Sequence, residues 1–246
     1  MKKYGIIGNP LEHSYSPKLF AEKFSKENIT NCVYQPFELK SIKDLQKILK
    51  QEPNLKGFNV TSPFKKDILS QLYEIDQEAI NVWSVNTVKV SRMKGRVLLK
   101  GFNTDTYGFM KSLTPLLNSS ITSALVLGTG GAASAVVYCL KQLNISVQQI
   151  SRQNKFEYLG YEDLNDDIIH EHKLIINTTP LGTYPKVNTC PDIPYEHLTS
   201  KHLCYDLVYN PEETLFLKKA KENGAQIKNG LEMLQLQAEK AWEIWR

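Results

Sequence analysis

The chain has 246 residues, 30 Lys and Arg against 26 Asp and Glu for a net charge of +4, and 41% hydrophobic residues. That length carries one large domain or two small ones with real cores, and the composition is too apolar and too balanced in charge for a disordered chain. A surplus of four charges is too weak to argue for nucleic acid, though it suits small anionic ligands.

No apolar run approaches the roughly 18 residues that span a bilayer. The opening stretch MKKYGIIGNP lacks the apolar run of about 7–15 residues that a signal peptide needs. Cys32, Cys139, Cys190 and Cys204 lie far apart with no Cys-x-x-Cys pair, which points to a reducing, cytoplasmic setting without disulfides or zinc. His170-Glu171-His172 has no Cys or acidic partner in the right pattern for a metal, and reads as a solvated turn.

Taken in order, residues 4–7 predict a strand and 16–27 an amphipathic helix with Pro17 in its first turn. Residues 32–37 alternate as a strand, and 42–50 have helical spacing with Ile42, Leu45, Ile48 and Leu49 on one face. A short strand at 55–60 and a helix at 66–72 follow. Residues 85–90 and 97–100 flank Met93-Lys94-Gly95 as a hairpin, and 106–117 are helical. The polar stretch 116–123 links to a second unit. There, 124–127 is a strand, then come a glycine turn, a helix at 132–143 and a strand at 146–150. Apolar strands at 173–177 and 203–207, a helix at 212–222, a short strand at 225–228 and a final helix at 231–245 complete the chain. Leu231, Leu234, Gln237, Ala238 and Ala241 share one side of that last helix. The alternation implies an α/β protein with parallel sheets and flanking helices.

Leu127-Gly128-Thr129-Gly130-Gly131-Ala132-Ala133 places Gly-x-Gly-x-x-Ala between a strand and a helix. Gly128 permits a tight turn, Gly130 lets backbone approach a pyrophosphate, and the helix N-terminus offers free N–H groups. The next strand ends in Ser151-Arg152-Gln153, with no carboxylate until Glu157. An acid there would bond a ribose 2′-hydroxyl, whereas Arg152 suits a 2′-phosphate, so NADP is expected over NAD.

The first half carries four polar clusters where strands meet loops: residues 8–17, 57–65, 84–87 and 101–105. Singly, such residues serve as caps and turns, with Ser16 and Asp105 as candidate N-caps. Together they favour a ligand studded with hydroxyls. Oxidising an alcohol by hydride transfer needs a group that takes the hydroxyl proton. Lys65, held after Pro63-Phe64, and Asp105, at a strand end, form a coupled acid/base candidate pair.

With these clusters the chain resembles the shikimate/quinate dehydrogenase family, from residue 5 to about residue 242. The matching strings are Gly8-Asn9-Pro10 with His13-Ser14-x-Ser16-Pro17, Asn59-Val60-Thr61-x-Pro63-Phe64-Lys65, Asn86-Thr87 and Asn103-Thr104-Asp105. Later come Gly128-x-Gly130-Gly131-Ala132, Asn177-Thr178-Thr179-Pro180-Leu181-Gly182, Asp206-x-x-Tyr209-x-Pro211-x-x-Thr214 and Gly230-Leu231-x-Met233-Leu234-x-x-Gln237-Ala238.

The resemblance implies two α/β domains with a cleft between: a substrate-binding domain at 1–105, to which 229–246 returns, and an NADP-binding Rossmann domain at 106–228. It implies NADPH-dependent reduction of 3-dehydroshikimate to shikimate, with Lys65 and Asp105 catalytic. Ser14 and Ser16 would hold the substrate carboxylate, and Thr61, Asn86, Tyr209 and Gln237 its hydroxyls or carboxylate. Gly128, Thr129, Gly130, Gly131 and Ala132 would bind the pyrophosphate, Ser151 and Arg152 the 2′-phosphate, and Thr178, Leu207 and Gly230 would line the nicotinamide. Partners are expected to be the small-molecule substrate alone, with no nucleic acid, membrane or metal, in a monomer or homodimer.

Three departures stand out. Trp83-Ser84 replace small residues and could alter the floor of the site, Thr106 stands where glycine is common, and Ser151-Arg152-Gln153 replaces Asn-Arg-Thr. The alternatives are a broader quinate/shikimate dehydrogenase, of a kind that tends to use NAD, which the lack of an acid at 151 or 152 disfavours; a non-catalytic NADP-binding sensor that keeps the fold without turnover, whose expected mark, loss of the Lys/Asp pair, is absent here; and a folate-type methylene dehydrogenase, which the serine and Asn-Thr clusters disfavour.

Overall fold

The computed structural model describes residues 1–152 and 158–246, so Gln153 and Glu157 lie outside the described residues. The chain divides into two compact units, residues 1–107 with 237–246, and residues 108–236.

In the first unit, β1 (Lys2–Gly8) is followed by α1 (Ser16–Lys26), β2 (Cys32–Glu38), α2 (Leu45–Gln51) and β3 (Leu55–Val60). Next come β4 (Glu74–Ile75), α3 (Gln77–Val82), β5 (Thr87–Met93) and β6 (Arg96–Phe102). The strands order as β2-β1-β3-β5-β6-β4. The sheet is mixed: β1 pairs parallel with β2 and β3, β5 and β6 form the expected antiparallel hairpin, and the departure from parallel pairing is that β5 also runs antiparallel to β3. A hairpin turn as short as Lys94-Gly95 can join only antiparallel strands, and both residues take positive φ, +48° and +78°. One sheet face buries Ile7, Phe58, Val60 and Val88 with Leu45 and Leu49 of α2. The other packs Tyr4 against Phe20 and Phe24 of α1 and against Trp242 and Trp245.

The helix expected over 66–72 is instead a single 3₁₀ stretch, Asp67–Gln71. The Lys65 carbonyl is already taken by the Val85 N–H at 2.9 Å, so the Leu69 N–H turns to Lys66. The helix expected over 106–117 is α4 (Asp105–Leu113), and it tightens to 3₁₀ at Thr114–Leu116 because Pro115 has no N–H.

The second unit continues with β7 (Ser123–Leu127), α5 (Gly131–Gln142), β8 (Ser146–Ile150), α6 (Asp166–Glu171) and β9 (Leu174–Asn177). Then follow β10 (Leu203–Asp206), α7 (Leu215–Glu222), β11 (Gln226–Lys228) and α8 (Leu231–Trp245). Its sheet is parallel throughout, in the order β11-β10-β9-β7-β8. Period-two alternation divides the strands between two cores. Ala124, Val126, Leu174, Ile176 and Tyr205 face α4 and α5, while Leu125, Leu127, Ile175 and Cys204 face α6 and α7. Helix α7 starts at Leu215, later than expected, because Thr214 caps it by accepting from the Leu217 N–H at 3.3 Å.

The unit boundaries fall inside α4 and α8, so Asp105 and Gln237 both belong to the first unit. Among the described residues, all four cysteines are free and no helix is long and apolar enough to cross a membrane.

Candidate active site

In the first unit the carboxyl ends of β1, β3 and β6 and the amino end of antiparallel β5 meet at one sheet edge. Ile7 pairs with Val60, Asn59 with Thr87, and Thr87 with Phe102. The polar clusters of the sequence are the continuations of those strands, and this register is what gathers them.

At the centre, the Lys65 ammonium lies 2.5 Å from Asp105 Oδ2, with the side chains 16% and 8% exposed. Asp105 Oδ1 accepts from Asn86 Nδ2 at 2.8 Å. Asn86 cannot flip, because its Oδ1 accepts the Thr104 N–H at 2.7 Å. Thr104 Oγ1 reaches Gln237 Oε1 at 3.4 Å, so the helix α8 residue joins the same cluster. A buried carboxylate with both oxygens engaged fixes the ammonium, and the pair can hold or release a proton at one defined point.

The other predicted first-unit residues border this edge. Thr61, directly after β3, donates its N–H to the Ile7 carbonyl at 2.9 Å and is half-buried. Ser14 is half-buried in the turn before α1. Ser16 is 7% exposed and begins α1, with Tyr15 rather than Ser16 at the N-cap. Asp105 likewise is the first residue of α4, not a residue ahead of it.

Of the departures, Trp83 is 63% exposed and ends α3 in a left-handed conformation. Ser84 is the residue buried below, its hydroxyl without a partner and its carbonyl accepting from Asn103 Nδ2 at 2.8 Å. Thr106 needs no glycine conformation: it sits in α4, its N–H bonded to Asn103 Oδ1 and its hydroxyl to the Asn103 carbonyl.

In the second unit Gly128, Ser151, Thr178 and Leu207 stand side by side, each the residue after a parallel strand, since Leu127 pairs with Ile150 and Asn177, and Asn177 with Asp206. Gly128 has φ +115°, and a Cβ there would lie 2.7 Å from Thr178 Oγ1, which itself donates to the Leu127 carbonyl at 2.7 Å. Gly130 is the N-cap of α5, with no side-chain cap, no acid in the first turn and open space where a Cβ would point. Gly131 and Ala132 therefore open the helix with N–H groups turned outward, and Thr129 is exposed beside them. This donor set fits a dinucleotide pyrophosphate. Gly230 packs so close to Leu207 that a Cβ would fall 2.1 Å from its carbonyl oxygen.

Ser151 is buried, with its N–H on the Leu159 carbonyl at 2.9 Å, and Arg152 is exposed. Tyr209 is half-buried in the segment after β10. The 170–172 string is not the solvated turn expected but the end of α6: His170 bonds Asp166 at 2.7 Å, and His172, the buried C-cap residue, bonds the Ile168 carbonyl at 2.8 Å.

The family model for the shikimate dehydrogenase substrate binding domain matches residues 6–88. A shikimate dehydrogenase (NADP(+)) of Methanosphaera stadtmanae is 33% identical, over 98% of this chain and 90% of the relative. The chain belongs to the shikimate dehydrogenase family. Another member, a shikimate dehydrogenase (NADP(+)) of Clostridium beijerinckii, is 36% identical over 100% of this chain and 92% of its own. Among solved structures, shikimate 5-dehydrogenase from Thermus thermophilus in complex with NADP(H) and shikimate matches with a TM-score of 0.85 and 30% identity, covering 100% of this chain and 93% of that one.

Two groups are given no role by the sequence: Tyr34, outside the matching strings, and Asp206, which stands in one of them. Tyr34 lies mid-strand in β2, yet its hydroxyl donates to Asn59 Oδ1 at 2.8 Å. Asp206, at the end of β10, is fully buried and accepts from Thr214 Oγ1 at 2.6 Å, Asn177 Nδ2 at 2.9 Å and the Val208 N–H at 3.0 Å. Burial pushes its carboxyl up to about 7 against the pull of those three donors. It ties the turn after β9, the turn after β10 and the start of α7 into one unit.

Proposed function

We propose that the chain is an NADP-dependent shikimate dehydrogenase, catalysing the reversible reduction of 3-dehydroshikimate to shikimate on the route to chorismate and the aromatic amino acids. The observation that carries this reading is the Lys65–Asp105 pair, 2.5 Å apart and set among amides and hydroxyls. The NADP(+) naming of relatives at 33% and 36% identity supports the cofactor.

In this reading the substrate domain comprises residues 1–105 with 229–246, and the NADP domain residues 106–228. Ser14 and Ser16 hold the substrate carboxylate, and Thr61, Asn86, Tyr209 and Gln237 hold its hydroxyls or carboxylate. Gly128 to Ala132 take the pyrophosphate, Ser151 and Arg152 the 2′-phosphate, and Thr178, Leu207 and Gly230 line the nicotinamide. When bound, NADPH supplies the hydride that the reduction consumes. The Lys65–Asp105 pair supplies the proton to the carbonyl oxygen as it becomes a hydroxyl, and takes that proton back in the oxidative direction. Asn86 keeps Asp105 aimed at Lys65, and Thr104, which bonds both Asn86 and Thr87, steadies Asn86 in turn. The four free cysteines support a cytoplasmic setting.

Lys65→Ala tests the reading. Turnover should fall by about 10²–10⁴-fold, the usual worth of a positioned proton donor, while NADPH binding stays close to wild type. Near-normal turnover would overturn the role.

A further inference from the structure

A one-way chain of hydrogen bonds runs through the first unit. The Asn59 amide gives its two hydrogens to the Asn86 carbonyl at 3.2 Å and to Thr87 Oγ1 at 3.1 Å. Its Oδ1 must then accept, and it accepts from the Tyr34 hydroxyl at 2.8 Å. With its single proton committed to Asn59, the Tyr34 oxygen can only accept, and its partner on that side is the Ser16 side chain. Thr87, having accepted from Asn59, donates onward to Asn86 Oδ1 at 3.2 Å or Thr104 Oγ1 at 3.1 Å. Asn86 Nδ2 donates to Asp105, where Lys65 arrives on the other oxygen. Along Ser16, Tyr34, Asn59, Thr87, Asn86 and Asp105 each member donates to the next, while Lys65 donates to Asp105 from the far end.

Tyr34 is the link that cannot yield. Its ring stacks on Phe20 at 4.2 Å between centroids and 10° between planes, so the hydroxyl cannot follow a displaced Asn59 or Ser16. Burial also pushes its phenol well above the usual tyrosine range, which keeps the proton in place.

We infer that Tyr34 is a positioning residue that fixes Ser16 Oγ and, through Asn59, Thr87 and Asn86, the Lys65–Asp105 pair as one rigid unit. The inference rests on the functional reading above, in which Ser16 and Lys65 serve opposite ends of one substrate.

Tyr34→Phe deletes the hydroxyl and keeps the ring. It should lower kcat/KM for shikimate about tenfold, the worth of leaving one buried acceptor unpaired, with the change shared between KM and kcat. The KM for NADP⁺ should stay within about twofold, since no part of the chain lies in the second unit. Combined with Ser16→Ala, the loss should fall well short of the product of the two single losses, because both variants cut the same chain. A purely structural role would shift the melting temperature without this split. Wild-type shikimate kinetics in Tyr34→Phe, or losses that multiply in the double variant, would overturn the inference. Should Tyr34→Phe fail to fold, Asn59→Ser cuts the chain one bond further on, and an unchanged shikimate KM there would overturn it equally. A wild-type protein without turnover on shikimate sinks the functional reading and the inference together, whereas wild-type turnover with an unaffected Tyr34→Phe sinks the inference alone.

Discussion

Replacing Asp105 by Asn removes one charge from a pair in which both side chains are largely shielded, at 16% and 8% exposure. The amide keeps one oxygen for Asn86 but turns its NH₂ toward the Lys65 ammonium, so donor meets donor and the cation is left without its counter-charge. Breaking a buried pair from one side costs about 3–5 kcal/mol. Removing both charges, with Lys65→Met beside Asp105→Asn, should recover most of that loss without restoring turnover. Urea unfolding followed by tryptophan fluorescence is well suited to the measurement, because Trp83, Trp242 and Trp245 all belong to the first unit. Asp105→Asn should unfold at clearly lower urea with an unchanged slope, and the double variant should return toward wild type. A single variant destabilised by less than about 1 kcal/mol, or a double variant no more stable than the single, would refute the idea that these two charges depend on each other.

Two further outcomes follow from the second unit. Asp206 is raised in the folded state from 3.8 to about 7, so the folded protein binds more protons than the unfolded chain between those values, and stability falls as pH rises through that window. The shift corresponds to on the order of 4 kcal/mol; unfolding followed by circular dichroism from pH 4.5 to 8 should show the slope in wild type and lose it in Asp206→Asn, and equal slopes would contradict the assignment. Arg152→Ala should weaken NADPH binding about 10–100-fold, the worth of a charge-assisted bond of about 1.5–3 kcal/mol, and leave NADH binding nearly unchanged; fluorescence titration of both cofactors would check it.

The glycine turn was legible because its constraint is local: Gly128 needs φ +115° and Gly130 needs bare backbone at a helix start, and both needs are written in residue type. The four polar clusters were legible as strand ends for the same reason. Their convergence was harder to see, since the amino end of β5 reaches the shared edge only by running antiparallel to β3. The stretch after Lys65 read as a helix over 66–72, but a long-range bond from the Val85 N–H to the Lys65 carbonyl decides the local geometry. The roles of Tyr34 and of Asp206, the latter already within a matching string, were hidden for a related cause. A tyrosine in an alternating strand and an aspartate at a strand end are common, and only partners far along the chain, Asn59 for one and Asn177 and Thr214 for the other, give them work.

The most direct test is the absorbance at 340 nm when the purified protein meets shikimate and NADP⁺. A steady rise in NADPH is expected, much faster than with quinate or with NAD⁺, and abolished by Lys65→Ala. No reduction of NADP⁺ by shikimate, or a clear preference for quinate with NAD⁺, would contradict the assignment.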